Sequence, residues 1–322
     1  MRVVRRFAVL PAAARGAAVA IGNFDGVHLG HRAVLGAAQR LARERACRFG
    51  VVTFEPHPRE VLDPAGAPAR LTPFRRKAEL LRALGVELLV ALPFDRALAR
   101  LEPETFVREL LVERIGAAAI ATGVDFRFGR ERRGDVALLA ELARRSGFAL
   151  EAVAPVDVDG ERCSSSAIRA HLAAGRVERA ARLLGRPYDV EGRVRPGDRR
   201  GRELGFPTAN IDPPPGQQLP ADGVYAVEAR LEGESAQASH PAVANLGWRP
   251  TFAGRRRLLE VHLLDGCYDL YGRRLRVAFL ARLREERRFA DRAELVAQIA
   301  RDCEAARRIL NASSLAVRGP SR

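Results

Sequence analysis

Two histidines, His28 and His31, stand three residues apart with Gly30 between them in "GNFDGVHLGHRAVL". An apolar run ends at this point and an amphipathic helical pattern begins. Glycines there allow a tight turn and close backbone approach, and the first N–H groups of a helix starting near Gly30 point back at the same place. The combination describes an anion site. Two imidazoles add side-chain donors on the same edge, so the anion is read as phosphate rather than carboxylate. The other readings are a metal pair and a helix-capping surface pair. No third His or Cys stands nearby and the H-E-x-x-H pattern is absent, which argues against a metal.

A second concentration of chemistry lies in "GRVRPGDRRGRELGFPTANI", where Gly192, Gly197, Gly201 and Gly205 fall within 14 residues that also hold five arginines. This composition can form a flexible loop over phosphates, and equally a basic hairpin turn. The chain has a single lysine, Lys77, after two arginines and before an alanine, so G-x-x-x-x-G-K-[ST] is absent. Neither a Walker-type nor a protein-kinase arrangement is available. Phosphoryl transfer here would rest on Mg²⁺, backbone N–H groups and arginine.

The elements that must position these residues follow from periodicity. Apolar, β-rich runs "AAVAIGNF", "CRFGVVTF", "VELLVALPF", "AAAIATG" and "FALEAVAPV" alternate with helical stretches Arg32 to Arg45, Pro73 to Leu84 and Asp135 to Ser146. Such alternation predicts a doubly wound, parallel α/β domain of Rossmann type over residues 1–186, with ligands at the carboxyl ends of the strands. From Tyr188 the runs "GVYAVEARL", "PAVANLG", "LLEVHLLD" and "LRVAFLARL" follow one another without helices, predicting an antiparallel barrel or sandwich over 187–312. A closing helix is expected from Arg292 to Leu310, with Ala293, Val296, Ala297, Ile299, Ala300 and Cys303 as its apolar stripe. Residues 313–322 read as a frayed tail.

Composition sets limits. The 322 residues are 47% hydrophobic and 29% charged, a globular balance with room for two cores. No apolar run approaches the roughly 18 residues of a membrane span. The start loosely resembles a signal peptide, but Pro11 and Arg15 break its apolar run, so a cytoplasmic chain is expected. Cys47, Cys163, Cys267 and Cys303 have no C-x-x-C spacing, which fits a reducing compartment without a zinc or disulfide framework. The net charge of +15 is arginine spread along the chain rather than one tract with interleaved aromatics. It suits anionic small substrates better than a nucleic-acid surface.

The residues around His28 and His31 resemble the H-x-G-H nucleotidyltransferases, and nearly the whole chain resembles the bacterial bifunctional riboflavin kinases/FMN adenylyltransferases, also called FAD synthetases. The resemblance implies that His28 and His31 contact ATP phosphates, with Gly22, Asn23, Phe24, Asp25 and Gly30 shaping the ATP loop. "ERCSSSAIRAHLAAG" is similar to the family's S-S-T-x-I-R signature, with Ser166 where threonine is usual. It implies that Ser164 or Ser165 caps a helix and that Ser165, Ser166 and Arg169 serve ATP, Arg169 on its leaving phosphates. "TFEPHPREVL" and "GVDFRFGRERRGD" also resemble family motifs, which would put Phe54, Asp125, Phe126 and Phe128 near the flavin. Without the family, the three phenylalanines read as core.

In the second half "FPTAN" matches the riboflavin kinase P-T-A-N element. It implies that Thr208 and Asn210 hold Mg²⁺ and ATP phosphate oxygens, with Gly197 and Gly201 in the covering loop. Glu260, otherwise a residue for a solvated strand face, matches the general base that takes the proton of the riboflavin 5′-hydroxyl. Arg284, Glu286 and Phe289 match a segment bordering the flavin. The activities implied are riboflavin to FMN and FMN to FAD, each with ATP and Mg²⁺. The alternatives are a nucleotidyltransferase with a degenerate barrel and a basic nucleic-acid-binding protein. Oligomeric state is not readable.

Overall fold

A computed structural model describes residues 1–5, 9–196, 200–235, 238–251, 254–266, 268 and 270–317. They form two compact units, Met1–Ser165 and Ser166–Arg322.

The first unit is built on strands β1 (Arg2–Val4), β2 (Ala18–Ile21), β3 (Phe49–Glu55), β4 (Leu88–Pro93), β5 (Ala119–Gly123) and β6 (Ala149–Val153). All pairs are parallel, in the order β1-β4-β3-β2-β5-β6. Helices α1 (Leu29–Glu44), α2 (Pro58–Leu62), α3 (Phe74–Ala83), α4 (Arg96–Ala99), α5 (Pro103–Thr105) and α6 (Val136–Ser146), with a π-helical segment Phe106–Ile115, make the crossovers. The five expected strands are present. β1, only three residues long, is an edge strand too short to register as a pattern.

Because side chains alternate along a strand, each strand feeds two layers. Ala18 and Ala20 of β2 join Val51 of β3 and Val34, Leu35 and Leu41 of α1 in one core, while Val19 and Ile21 join Val52, Phe106, Leu111 and Leu139 in the other. The chain steps from β2 to β3 on one side and returns to place β5 on the other, so the sheet's switch point lies at the carboxyl end of β2. Residues 22–28 leave the sheet there.

A hairpin of β7 (Asp157–Val158) and β8 (Glu161–Arg162) ends the first unit. Next come α7 (Ser165–Ala173) and α8 (Val177–Leu184), which fall almost entirely in the second unit. The division thus lies 21 residues before 186. Hydrogen bonds account for it: Ala221 N–H donates to the Leu172 carbonyl at 2.9 Å, and Arg282 N–H donates to the Glu178 carboxylate at 3.1 Å.

The second unit is a closed antiparallel barrel of β9 (Tyr188–Arg195), β10 (Ala209–Asp212), β11 (Gly223–Leu231), β12 (His240–Thr251), β13 (Gly254–Leu263) and β14 (Arg274–Arg284), in the order β10-β13-β12-β11-β14-β9. Pairing of β9 with β10 closes it. Both lie in the stretch whose Gly and Pro punctuation hid its strands, with a short helix, α9 (Arg200–Glu203), between them. The last helix, α10 (Arg292–Val317), packs Ile299, Cys303, Ala306, Ile309 and Leu310 on Val224, Ala226 and Val243 outside the barrel. Ile299 and Cys303 of the expected stripe lie on this packed face, whereas Ala293, Ala297 and Ala300 are exposed. The helix also continues past 312 to Val317, and residues 318–322 lie outside the described residues.

Candidate active sites

His28 is the N-cap of α1. Its Nδ1 accepts the His31 backbone N–H at 3.2 Å, satisfying one of the orphan donors of the first turn. With Nδ1 acting as acceptor, the ring proton of a neutral His28 sits on Nε2. The two imidazoles stack at 3.6 Å between centroids and 18° between planes, and Phe24 closes on the His31 ring edge-on at 5.3 Å. Cys163 Sγ lies 3.5 Å from His28 Nδ1 and from the Gly30 nitrogen. A Cβ at Gly30 would come within 3.2 Å of the His28 ring and 3.3 Å of the Cys163 carbonyl, so only glycine fits without displacement.

His31 carries the clearest electrostatic signature. Burial first, then the neighbouring His28 and Lys77, hold its imidazole well below the ordinary histidine range, so the stacked pair is not doubly charged near neutrality. Its Nδ1 is buried without a hydrogen-bond partner, and so is the Asn23 side-chain oxygen. Polar groups left this way are costly unless a ligand or water serves them.

The loop before His28 is strained and then clamped. Phe24 and Val27 adopt left-handed backbone conformations with φ of 50° and 45°, each costing on the order of 1 kcal/mol. The buried Asp25 carboxylate accepts the N–H groups of Leu71 and Thr72 at 3.1 and 2.9 Å and the Thr72 hydroxyl at 3.2 Å, while Gly26 N–H donates to that hydroxyl oxygen at 2.9 Å. Asp25 thus turns inward, fixing the loop. Gly22 packs beside the Phe24 ring. Ser165 donates its hydroxyl to the Asp25 carbonyl at 2.8 Å. Ser166 and Arg169 lie on the part of α7 in the second unit.

Among the aromatics, Phe54 and Phe128 are core residues in contact with Phe106, as their residue type suggests, and Phe126 stacks on Phe128 at 5.6 Å from a half-buried position. Asp125 is exposed just past β5 and pairs with Arg162 at 3.0 Å.

In the barrel, register sets Asn210 of β10 opposite Glu260 of β13, and Glu260 opposite Asn245 of β12. Their neighbours Ala209, Ile211, Leu259, Val261, Ala244 and Leu246 are buried, so the three polar side chains form one row on the other face. Asn245 Nδ2 donates to Glu260 Oε2 at 3.4 Å, and the Asn245 oxygen is buried without a partner. Asn245 was not visible in sequence, because only register brings it beside Glu260. Thr208 is exposed just before β10, and His262 Nδ1 donates to the preceding Pro207 carbonyl at 2.8 Å. Gly201 is pressed against this segment: its Cβ would lie 2.5 Å from the Phe206 carbonyl oxygen. Gly197 lies outside the described residues.

Arg284 is fully engaged within the unit. Its Nε and guanidinium nitrogen grip the buried Asp302 carboxylate at 2.8 to 3.1 Å, tying β14 to α10, and its Cζ lies 5.6 Å from the Phe289 ring centroid. Glu286 reaches Gly247, where a Cβ would clash with its carboxylate.

A doubly wound sheet with a phosphate-type turn at its switch point, joined to a closed six-stranded barrel, defines a two-module α/β class. Residues 10–167 match the FAD synthetase family model and residues 184–310 the riboflavin kinase model. The bifunctional riboflavin kinase/FMN adenylyltransferase of Escherichia coli (strain K12) is 46% identical over 287 residues, covering 89% of this chain and 90% of the relative. That of Pseudomonas fluorescens is 43% identical, covering 95% and 97%. A Streptococcus pneumoniae crystal structure described as a macrolide-efflux protein superposes with a TM-score of 0.85 at 29% identity, covering 95% and 98%. The chain belongs to the family of bifunctional riboflavin kinases/FMN adenylyltransferases. No helix among the described residues is long and apolar enough to cross a membrane.

Proposed function

We infer that this chain makes FAD from riboflavin in two consecutive steps, phosphorylating riboflavin to FMN in its barrel and transferring the adenylyl group of ATP to FMN, with release of pyrophosphate, on its parallel sheet. The observation that carries the reading is the stacked His28–His31 pair at the switch point of the sheet. Adenylyl transfer asks an enzyme chiefly to align two anions and offset charge gathering on the α-phosphorus and the leaving pyrophosphate. The imidazoles of His28 and His31 and the N–H groups opening α1 supply donors for that charge. We assign the reaction to residues 1–186, with Asn23 and Gly30 shaping the ATP loop and Ser165, bonded to the Asp25 carbonyl, bracing it. Phe54, Asp125, Phe126 and Phe128 border the flavin.

Riboflavin phosphorylation we assign to residues 187–312. Glu260 acts as the general base on the 5′-hydroxyl, held by Asn245, while Gly201 keeps the covering loop close. Among the described residues no cluster of three His, Cys, Asp or Glu side chains could hold a metal ion. The donor set present, the Thr208 hydroxyl and the Asn210 amide oxygen, is hard, neutral and sparse. It fits Mg²⁺, which binds through few protein oxygens plus substrate phosphates and would offset phosphate charge there. Among the described residues, Cys47, Cys163 and Cys303 form no disulfide, which supports a cytoplasmic setting.

The test is incubation with riboflavin, ATP and Mg²⁺ followed by chromatography. FMN and then FAD are expected. Absence of both would overturn the reading, and salt-sensitive RNA binding without flavin turnover would favour a nucleic-acid role.

A further inference from the structure

Lys77, the single lysine in a chain with 54 Lys and Arg residues, is 2% exposed on α3. Its Nζ donates to the main-chain carbonyl of Asn23 at 2.8 Å, and the hydroxyl of the fully buried Thr53 donates to the same oxygen at 3.1 Å. That carbonyl lies at the residue before Phe24, where the loop first turns left-handed. The ammonium is buried at considerable electrostatic cost. Desolvation pulls Lys77 below the ordinary lysine range, with Arg70 pulling the same way, against Asp25, Glu55 and Glu60. Arg70 itself is occupied, bridging Glu55 at 2.9 Å and Glu60 at 2.8 Å.

We propose that Lys77 is a positioning residue for adenylyl transfer: its buried ammonium pins the Asn23 carbonyl, holds the strained loop that delivers His28 and His31, and places a fixed positive charge beneath the phosphate site. This rests on reading the His28–His31 turn as that site. A planar guanidinium cannot replace a compact ammonium at a single buried carbonyl without displacing Thr53 or Asn23. This requirement explains one lysine in a chain that otherwise uses arginine. The charge also bears on His31, whose imidazole is held neutral by burial, His28 and Lys77.

The experiment compares Lys77→Met, Lys77→Arg, Thr53→Val and His28→Ala in the full chain, following both reactions and the histidine titrations by NMR. Lys77→Met is expected to lower kcat/KM for FAD formation about a hundredfold, leave FMN formation unchanged, and move the His31 titration upward by about half a pH unit. Lys77→Arg should lose rate without that upward move, and Thr53→Val, which removes a donor but no charge, should lose less rate and leave the titration in place. Wild-type FAD formation in Lys77→Met, or an unmoved His31 titration, overturns the proposal. If Lys77→Met fails to fold, the wild type decides. Selective ¹³C-lysine labelling gives one side-chain amine signal, and titration at the ordinary lysine value overturns the burial on which the proposal rests. Full FAD formation by His28→Ala overturns instead the reading of the site.

Discussion

Nδ1 of His28 accepts the His31 N–H at 3.2 Å, so one imidazole both closes the first turn of α1 and presents its remaining nitrogen as a donor. Structural and chemical roles of this ring are separable. His28→Ala removes both and should cost about 1 kcal/mol of stability as well as about a hundredfold in FAD formation. His28→Asn restores a capping oxygen. It should recover the lost stability in thermal unfolding but not the rate, and FMN should accumulate with either variant.

Glu260 predicts the reciprocal phenotype. Glu260→Gln keeps shape and removes the base, so FMN formation should fall at least about a hundredfold while added FMN is still converted to FAD. Asn245→Leu, which leaves the base but removes its hydrogen bond, should give a smaller loss. Chromatography of parallel reactions started from riboflavin and from FMN distinguishes these outcomes.

The depressed His31 pKa makes stability depend on pH. In the unfolded chain the imidazole takes up a proton near pH 6.5, whereas the folded chain resists it until well below. Between those limits the unfolded state binds more protons, so this contribution lowers stability as pH falls below about 6.5 and vanishes above it. His31→Gln should flatten the fall in Tm between pH 7 and pH 5. An unchanged slope would count against a neutral, buried His31.

Gly201→Ala places a methyl group 2.5 Å from the Phe206 carbonyl oxygen and 3.1 Å from the Thr208 hydroxyl. Backbone cannot yield as a flexible side chain would. The variant should raise the KM for ATP in riboflavin phosphorylation and leave FAD formation from FMN untouched.

Half-buried Arg284 pairs with Asp302, which is 5% exposed. Asp302→Ala leaves the guanidinium without its carboxylate and should destabilise the second unit by about 3 kcal/mol. Denaturant unfolding of the intact chain, followed through Trp248 in the barrel, reads this directly.

How much was legible in sequence depended on range. The parallel strands announced themselves because buried runs such as "GVVTF" and "LLVAL" are continuous, and His28, His31 and Gly30 are near neighbours along the chain. β9 and β10 did not, because glycines and prolines around them masked a short alternation that only barrel closure makes decisive. Asn245 became part of a site through register alone. Lys77 registered only as an absence elsewhere, since nothing local shows that α3 carries it beneath Asn23. The stripe of α10 is right at Ile299 and Cys303, which pack on the barrel, and wrong at Ala293, Ala297 and Ala300, because small alanines satisfy a helical period without being buried.

β10 is held in the barrel by its two shortest ladders, of three register pairs each, one to β13 and one to β9. β9 and β10 meet over three register pairs, Asn210 with Arg195, Ile211 with Val194 and Asp212 with Arg193, against ten between β12 and β13. Local opening is expected to begin where ladders are shortest, so β10, which carries Asn210, should part before the longer strands do. Amide exchange should be fastest in Ile211 and its neighbours. Parting that seam would uncover Ile211 and Val194, which are buried where the two strands meet, so each opening carries a hydrophobic as well as a hydrogen-bond cost.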